Sequence, residues 1–182
     1  KELEAAKKVQ RALLPESIPV SDYLSIAFKY DPMEEVGGDY MFIKNHKAND
    51  SYGIFLCDVS GHGVSAALYT FFIKAITDRL NKMYYDNPLY YMEDLNKELT
   101  AGMVTHYCTG IYSYFSKNID NTVTLDFVRA GHPYMIYYSK KDKSVSLLES
   151  PGIALGWFPE VQYSNKKLTL HKGDRVFLYT DG

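Results

Sequence analysis

The sequence predicts an α+β fold, and three observations support this class. Short runs rich in β-branched and aromatic residues come first, two long apolar helical patterns follow, and further short strand-like runs fill the rest of the 182 residues. This order is typical of helices packed on the faces of largely antiparallel sheets. The length suits one domain, and the content of 46% hydrophobic and 23% charged residues is that of an ordinary folded protein.

The N-terminal stretch "KELEAAKKVQRALLPESIP" predicts a short amphipathic helix. Side chains that suit a buried face recur there at helical spacing, at Leu3, Ala6, Val9 or Gln10, and Leu13. Pro15 ends the helix, because its ring removes a backbone donor and clashes with the preceding turn. The choice between Val9 and Gln10 for the buried face stays open.

Three strands are expected next, from runs rich in β-branched and aromatic residues. These runs are "YLSIAFKY" (23–30), "GGDYMFIKN" (37–45) and "SYGIFLCDV" (51–59). Asp-Pro and Lys-Ala-Asn-Asp-Ser segments, which favour turns, separate them.

Two helices are expected after these strands. From about Gly63, "VSAALYTFFIKAITDRLNKM" is apolar on most sides, as expected of a helix inside a core. In "LYYMEDLNKELTAGM" apolar side chains share one face, at Met92, Leu95, Leu99 and Met103. Asp86, Asn87 and Pro88 supply the capping and first-turn signals of this second helix.

The rest of the chain is predicted to form meandering antiparallel strands. Its short alternating or apolar runs are separated by Asn, Gly, Pro or Asp-Lys turns. The runs are "CTGIYSYFS", "TVTLDFVRAGH", "PYMIYYSK", "KSVSLLES", "EVQYSNKKLTL" and "DRVFLYTDG".

Charge and cysteine content argue against several classes of protein. The net charge of −2 gives no overall attraction to nucleic acid or anionic lipid. No apolar run approaches the ~20 residues that span a bilayer, and no signal-peptide pattern is present. Cys57 and Cys108 form no C-x-x-C pair and favour a reducing, cytoplasmic location, although a disulfide between them stays open. Since the chain begins at Lys1 and ends at "LYTDG", it is interpreted as part of a longer protein.

Three aspartates share one local pattern, in which an apolar stretch ends beside glycine. They are Asp39 in "VGGDY", Asp58 in "FLCDVSG" and Asp181 in "FLYTDG". A carboxylate at the end of a buried strand is costly unless a cation or several donors compensate it, and three together suit Mg²⁺ or Mn²⁺ better than Zn²⁺. Alternatively, each Asp caps a helix or starts a turn. That alternative does not explain the long uncharged stretches before Asp58 and Asp181.

Six motifs, in order along nearly the whole chain, resemble those of one family. They are "VQRALLP", "EEVGGDY", "DVSGHGVSAAL", "RAGHPY", "SPGIALG" and "KGDRVFLYTDG". Six ordered motifs are far more specific than one glycine-rich turn. The chain thus resembles the PPM superfamily of metal-dependent serine/threonine protein phosphatases, in its SpoIIE/RsbU branch of bacterial partner-switching phosphatases. This resemblance implies an α-β-β-α sandwich of largely antiparallel sheets flanked by helices, here truncated at its C-terminus.

The resemblance also implies a site for two divalent metal ions, Mn²⁺ or Mg²⁺. Asp58 corresponds to the carboxylate that bridges the metals, and the Val59 backbone carbonyl reaches one of them. Asp181 corresponds to a ligand of the first metal, and Asp39 serves the second metal directly or through water. In such sites a metal-bound water becomes hydroxide and attacks phosphorus in line, without a covalent phosphoenzyme.

Glycines, histidines and a lysine are further candidates near these carboxylates. Four glycines either keep side-chain bulk away from the site or simply make turns, namely Gly37, Gly38, Gly61 and Gly63. His62 and His132 are expected to be structural hydrogen-bonding residues, with His62 the better candidate for protonating the leaving seryl oxygen. Lys29 is considered for phosphate binding but is expected to be a solvated strand residue.

Two departures from the family pattern matter. A further metal-binding Asp of the family would fall after Gly182, beyond the end of this chain. No arginine stands just upstream of Asp39, where some eukaryotic relatives bind phosphate, so phosphate binding is expected to rest on the metals. Without the distal Asp, poor binding of one metal is expected. This keeps open a second interpretation, a catalytically silent module that docks the same partner.

The activity implied by the resemblance is hydrolysis of phosphoserine or phosphothreonine on a protein. The branch implies a substrate such as a phosphorylated anti-sigma-factor antagonist of the STAS type, in control of transcription or stress response. Residues 1–19 resemble the linker helix that joins an upstream sensory domain to a phosphatase domain, here residues 20–182. That helix either pairs with a second copy in a homodimer or packs as an ordinary helix. If it is a linker, residues 63–105 are expected to act as a switch that positions the metal ligands.

Overall fold

The structure, a computed structural model, describes residues 2–31 and 36–180, except for the side chain of Leu3. The helices of this part of the chain are α1 (Glu2–Arg11), α2 (Gly63–Met83) and α3 (Pro88–Gly102). Its strands are β1 (Asp39–His46), β2 (Ser51–Val59), β3 (Cys108–Lys117), β4 (Val123–Ala130), β5 (Met135–Ser139), β6 (Ser144–Leu148), β7 (Asn165–Leu170) and β8 (Arg175–Phe177).

The strands form two antiparallel sheets. The larger sheet has the strand order β1-β2-β3-β4-β7, and the smaller sheet has the order β6-β5-β8. Every described strand pairing is antiparallel. The α+β prediction with largely antiparallel sheets is therefore confirmed.

The layers of the fold follow from the alternation of side chains along each strand. On β2, Phe55 and Val59 belong to the core that the larger sheet shares with α2 and α3. Ile54 and Leu56, on the opposite face of β2, pack against the core between the two sheets. By the same alternation, Asp58 lies on the face directed towards the smaller sheet, at the end of its strand.

Both long helices form where they were predicted. Helix α2 buries Ile73 and Leu80 beneath the larger sheet. Helix α3 starts with the predicted cap, in which the Asn87 side chain accepts a hydrogen bond from the Tyr90 amide at 3.2 Å and Pro88 follows in the first turn. The predicted apolar face of α3 is buried, at Met92, Leu95, Leu99 and Met103. None of the described helices combines the length and the apolar character needed to cross a membrane.

The strand predicted over residues 23–30 is wrong. The backbone there forms no strand, and the amides of Tyr23 and Leu24 bind the Ser21 hydroxyl instead of a neighbouring strand. The Tyr23 and Leu24 side chains pack against the core between the sheets, and the Tyr23 hydroxyl donates to the Asp50 carbonyl at 2.6 Å. Tyr23, Leu24 and Ile26 are therefore partly buried without strand pairing, which the composition of the run cannot distinguish from a strand.

The last two strands on the chain are shorter than the runs that predicted them. Among the described residues of these runs, only Asn165–Leu170 pairs within "EVQYSNKKLTL", and only Arg175–Phe177 pairs within "DRVFLYTDG". Tyr163 accounts for the first difference, because its side chain is buried in the core shared with the helices and its hydroxyl donates to the Ile153 carbonyl at 3.2 Å. The burial of the Tyr163 side chain therefore keeps the backbone before β7 out of the sheet.

Candidate functional site

Two of the three predicted carboxylates meet at one end of the larger sheet. Asp39 begins β1, Asp58 lies near the end of β2, and the two residues are direct register partners. Both lie on the face directed towards the smaller sheet, since their neighbours Tyr40 and Cys57 are buried beneath the helices. Like charges directly opposite each other across two strands are destabilising. The pair therefore favours a bound cation.

Gly38 brings the Val59 carbonyl and the Asp58 carboxylate to the same point. A Cβ atom at Gly38 would lie 2.5 Å from the Val59 oxygen and 3.0 Å from Asp58 Oδ1. The Val59 amide donates to the Gly38 carbonyl at 3.1 Å, which holds the two strand ends together. Only a residue without a side chain fits here, so the prediction that glycine clears space is supported by the contacts at this position.

Thr180 brings the C-terminal end of the described chain to the same place. Its hydroxyl donates to Asp39 Oδ2 at 3.1 Å. Asp181, the third predicted carboxylate, is the next residue in the sequence and lies outside the described residues. Within residues 2–31 and 36–180, no three His, Cys, Asp or Glu side chains are grouped so that they could hold a metal ion. The structure thus joins Asp39 to Asp58, and the role of Asp181 stays a prediction.

A pocket of about 470 Å³ opens beside Asp58. Its volume lies in the range of ordinary small-molecule sites, roughly 300–1,000 Å³. The lining residues come from the ends of β2, β3 and β4 and the loops next to them, namely Asp58, Ser60, Tyr107, Thr109, Arg129, Gly131, His132, Pro133 and Tyr134. The motifs "DVSGHG" and "RAGHPY", far apart in sequence, therefore form one cavity.

Arg129 is the functional candidate that sequence reasoning missed. Its Nε donates to the Ser150 carbonyl at 2.7 Å, Nη1 donates to the His132 carbonyl, and the guanidinium lies 4.4 Å from the centre of the Tyr134 ring. The pocket wall thus carries a fixed positive charge near the Asp58 carboxylate. Its position in "RAGHPY" was the available signal, because that motif is one of the six that carry the family resemblance.

The two histidines and the lysine considered in the sequence lie in different places relative to the pocket. His132 lines the pocket, and its Nδ1 shares a hydrogen bond of 2.9 Å with the hydroxyl of Thr109, the register partner of Asp58. His62 is exposed just before α2 and is not among the described residues that line the pocket. Lys29 is largely exposed and forms an ion pair of 3.1 Å with Asp31, also outside that lining.

The glycine-rich turn after Asp58 is fixed to the loop before β3. The Ser60 amide donates to the Tyr107 carbonyl at 2.8 Å, and the Tyr107 amide donates to the Ser60 hydroxyl at 3.0 Å. Gly61 and Gly63 both adopt positive φ, at 87° and 73°, which L side chains rarely do. The backbone conformation of the turn is therefore sufficient to explain why these two residues are glycine.

Gln10 of helix α1 contacts the loop that carries Asp39. The Gln10 side-chain amide donates to the Gly37 carbonyl at 2.5 Å, its oxygen accepts from the Gly37 amide at 3.0 Å, and its nitrogen also lies 3.4 Å from the Thr70 hydroxyl of α2. Gln10 is 5% exposed, whereas Val9 is 56% exposed, which settles the choice between them. The N-terminal helix is thus tied by hydrogen bonds to the loop that carries Asp39.

The two carboxylates raise the pKa of their neighbours. Burial, the Cys108 thiol and then the charges of Asp39 and Asp58 hold the pKa of the Cys57 thiol well above its usual value. Burial and Asp39 also raise the pKa of the Tyr30 hydroxyl, while Arg11 opposes the shift. Both neighbours are therefore neutral at physiological pH.

The fold places the chain in a known class of domain. The SiaA-PP2C domain of Pseudomonas aeruginosa matches it with a TM-score of 0.82 at 24% identity, over 100% of this chain and 71% of that one. This fold is that of the PP2C-type, or PPM, phosphatase domains.

Sequence comparison identifies the family within that class. A family model described as Stage II sporulation protein E (SpoIIE) matches residues 48–182, so the chain belongs to the SpoIIE family. Phosphoserine phosphatase RsbP of Bacillus subtilis (strain 168) is 33% identical over 196 residues, which cover 100% of this chain and 45% of RsbP. Phosphoserine phosphatase RsbU of the same organism is 31% identical over 183 residues, with 100% and 52% covered. The chain spans about half the length of these relatives, and the predicted resemblance is confirmed.

Proposed function

We propose that the protein is a metal-dependent phosphatase that hydrolyses phosphoserine or phosphothreonine on a protein substrate. The observation that carries the proposal is the pair Asp39 and Asp58, which face each other across β1 and β2 with Asp58 in the wall of a pocket. RsbP and RsbU, which match the whole of this chain, are phosphoserine phosphatases and support the same reaction.

The residues of the site fit divalent metal ions. Asp39, Asp58 and the Val59 carbonyl offer oxygen ligands only, which Mg²⁺ and Mn²⁺ prefer and Zn²⁺ does not. The Val59 oxygen and the Asp58 carboxylate converge at Gly38, where a side chain would fill the space. Asp181 would add a further carboxylate, as a ligand of the first of two ions. When bound, such ions supply a hydroxide nucleophile at neutral pH and polarise the phosphoryl oxygens.

The side chains of the pocket would bind and orient the phosphorylated residue. Two backbone carbonyls hold the Arg129 guanidinium in place, so its positive charge attracts the phosphate dianion into the pocket. His132 lies on the same wall, where it can give a proton to the leaving seryl oxygen. For that role we favour His132 over His62, which the sequence had favoured.

The substrate and the regulation are proposed from the family. A phosphorylated STAS-type antagonist of an anti-sigma factor would place the protein in partner switching, in the cytoplasm, where the free thiols of Cys57 and Cys108 stay reduced. An upstream sensory domain would act through α1, because Gln10 contacts the loop before Asp39. The exposed Val9 side of α1 would suit pairing with a second copy.

Phosphate release from a phosphoserine peptide tests the proposal. We expect the full-length protein to hydrolyse the peptide with Mn²⁺, and Asp58→Asn to lower kcat at least ~100-fold, because even partners that only orient metal ligands are worth 10–100-fold. Asp126→Asn is the matched control and should keep its activity. Asp126 is another buried aspartate of the larger sheet, paired with Lys167 at 3.1 Å, and it does not line the pocket.

The outcomes separate the two interpretations. Hydrolysis that needs no metal, or full activity in Asp58→Asn, would contradict a metal-dependent mechanism. Peptide binding without hydrolysis in the unaltered protein would instead favour the catalytically silent docking module.

A further inference from the structure

Three aromatic rings are stacked on the surface beside the pocket. Tyr107 and Trp157 have ring centroids 4.8 Å apart at 14°, and Trp157 and Phe158 have centroids 5.8 Å apart at 8°. The three side chains, here called the aromatic ladder, are 38%, 56% and 49% exposed in that order. Large apolar rings that stay in water at one place mark an interaction site rather than a core.

Hydrogen bonds from helix α3 hold the backbone around the aromatic ladder in place. The buried Asn96 of α3 donates to the Phe158 carbonyl at 2.9 Å and accepts from the Gly156 amide at 2.9 Å. Trp157 therefore lies between two anchored residues. Rigid aromatic side chains lose little conformational entropy on binding and dominate the energy of many interfaces.

The aromatic ladder is continuous with the candidate active site. Tyr107 is one of its rings and also lines the pocket that contains Asp58. Two hydrogen bonds to Ser60, at 2.8 Å and 3.0 Å, fix the Tyr107 backbone to the turn after Asp58. A macromolecule that places a phosphorylated side chain in the pocket must therefore lay its adjoining surface on or next to Trp157.

We propose that the aromatic ladder docks the phosphoprotein substrate, through aliphatic side chains that flank its phosphoserine. This inference rests on the proposed phosphatase function. Tyr107 belongs both to the ladder and to the pocket, so a partner on the ladder also lies at the pocket mouth. We therefore favour the substrate as the occupant, because a second copy of the chain seated on the ladder would cover the pocket mouth. The ladder adds apolar contacts that the small phosphoryl group cannot provide, so it sets substrate preference without taking part in the chemistry.

Two phosphoserine peptides and one small substrate test this docking surface. The peptides differ only in the residues beside phosphoserine, which are Leu and Ile in one and Gly and Ser in the other, and the small substrate is p-nitrophenyl phosphate. We expect Trp157→Ala to raise KM for the Leu/Ile peptide about 30-fold, as expected for truncation of a central interface aromatic. Hydrolysis of p-nitrophenyl phosphate should not change, and Trp157→Phe should retain most of the preference.

Tyr90→Ala is the matched control, because Tyr90 is also an aromatic residue of this chain, 55% exposed, and lies on α3 away from the pocket lining. A second measurement does not depend on activity. Trp157 is the only tryptophan among the 182 residues, so its fluorescence reports contacts at the ladder. We expect the Leu/Ile peptide to shift this emission to shorter wavelength and the Gly/Ser peptide to leave it unchanged.

The two measurements separate the ladder from the phosphatase proposal. An emission shift without hydrolysis of any substrate would support the ladder and overturn the phosphatase function. Hydrolysis of both peptides with the same KM in wild type and Trp157→Ala, and no emission shift, would overturn the ladder alone. Loss of self-association in Trp157→Ala with unchanged peptide kinetics would make a second copy the occupant and would also overturn the ladder proposal.

Discussion

Gly38 is the residue at which the smallest substitution is expected to cost most. A methyl group there would lie 2.5 Å from the Val59 oxygen and 3.0 Å from Asp58 Oδ1, so both proposed ligands would have to move. We expect Gly38→Ala to lower kcat on a phosphoserine peptide by about 100-fold, the usual cost of a displacement of ~1 Å at a reacting centre. Steady-state assays at several Mn²⁺ concentrations check this, because displaced ligands also raise the Mn²⁺ requirement.

Gly37 provides the matched control one position earlier. Of the residues that the structure describes, a Cβ atom there would meet only the Tyr30 hydroxyl, at 4.0 Å. Gly37→Ala is therefore expected to keep activity within about 2-fold, as for substitutions that disturb no contact. Equal losses in the two variants would show that the loop needs two flexible residues rather than free space at one of them.

Sequence predicted the carboxylates of the site better than the rest of the pocket. Asp39 begins an apolar strand and Asp58 lies near the end of one, each close to glycine, and the printed sequence contains both patterns in full. Arg129 has no such pattern, because its position depends on carbonyl groups of His132 and Ser150 that only the folded chain brings together. The position of His132 in the pocket lining also depends on the folded chain, and the role given to His62 stays a prediction.

Helix α1 is attached to the domain by a polar contact that depends on its position. Gln10 satisfies both the amide and the carbonyl of Gly37, so a shift of the helix by one residue would leave both groups without this partner. We expect Gln10→Leu to lower stability by about 1–3 kcal/mol, the cost of leaving buried polar groups unpaired. It should also reduce kcat at least ~10-fold through the loop before Asp39. Thermal unfolding, and kinetics at a temperature where the variant stays folded, measure the two effects.

Val9→Ala is the control for this prediction, because Val9 is the exposed neighbour of Gln10 on the same helix. Gln10→Glu retains the acceptor for the Gly37 amide and loses the donor to its carbonyl, so its activity should be intermediate. Loss of stability in Gln10→Leu with unchanged kcat and Mn²⁺ requirement would make Gln10 a packing residue and would exclude it as a link to the site.

The helices were easier to predict than the strands. The local sequence Asn87-Pro88 and the apolar face both predict helix α3, and both signals lie within one segment of the chain. A strand needs a partner that is distant in sequence, and residues 23–30 show the consequence, because Tyr23, Leu24 and Ile26 pack against the core between the sheets while the backbone pairs with no strand. Pairing partners cannot be derived from the composition of a run.

Metal binding should stabilise the whole domain. The cation would relieve the opposition of Asp39 and Asp58, which exists only in the folded sheet. A ligand at 100 times its Kd adds about 2.7 kcal/mol, which corresponds to a rise in Tm of roughly 5–10 °C for a domain of this size. We expect Mn²⁺ to produce such a rise, measured by differential scanning fluorimetry, and EDTA to reverse it.

Asp58→Asn should lose most of that Mn²⁺-dependent rise in Tm, and Asp126→Asn should retain it. A rise of the same size in both variants would place the stabilising ion elsewhere on the protein. No rise in the unaltered protein would contradict tight metal binding at this pair.

The hydrogen bond from Thr180 to Asp39 joins residues 141 positions apart. Chains leave the ribosome from the N-terminus, and their segments begin to fold in that order. The strands that carry Asp39 and Asp58 are therefore synthesised well before the residue that closes on Asp39, which follows 141 positions later. The two strands can thus be present in a nascent chain before this contact exists, so translation itself delays the closure of the chain on Asp39.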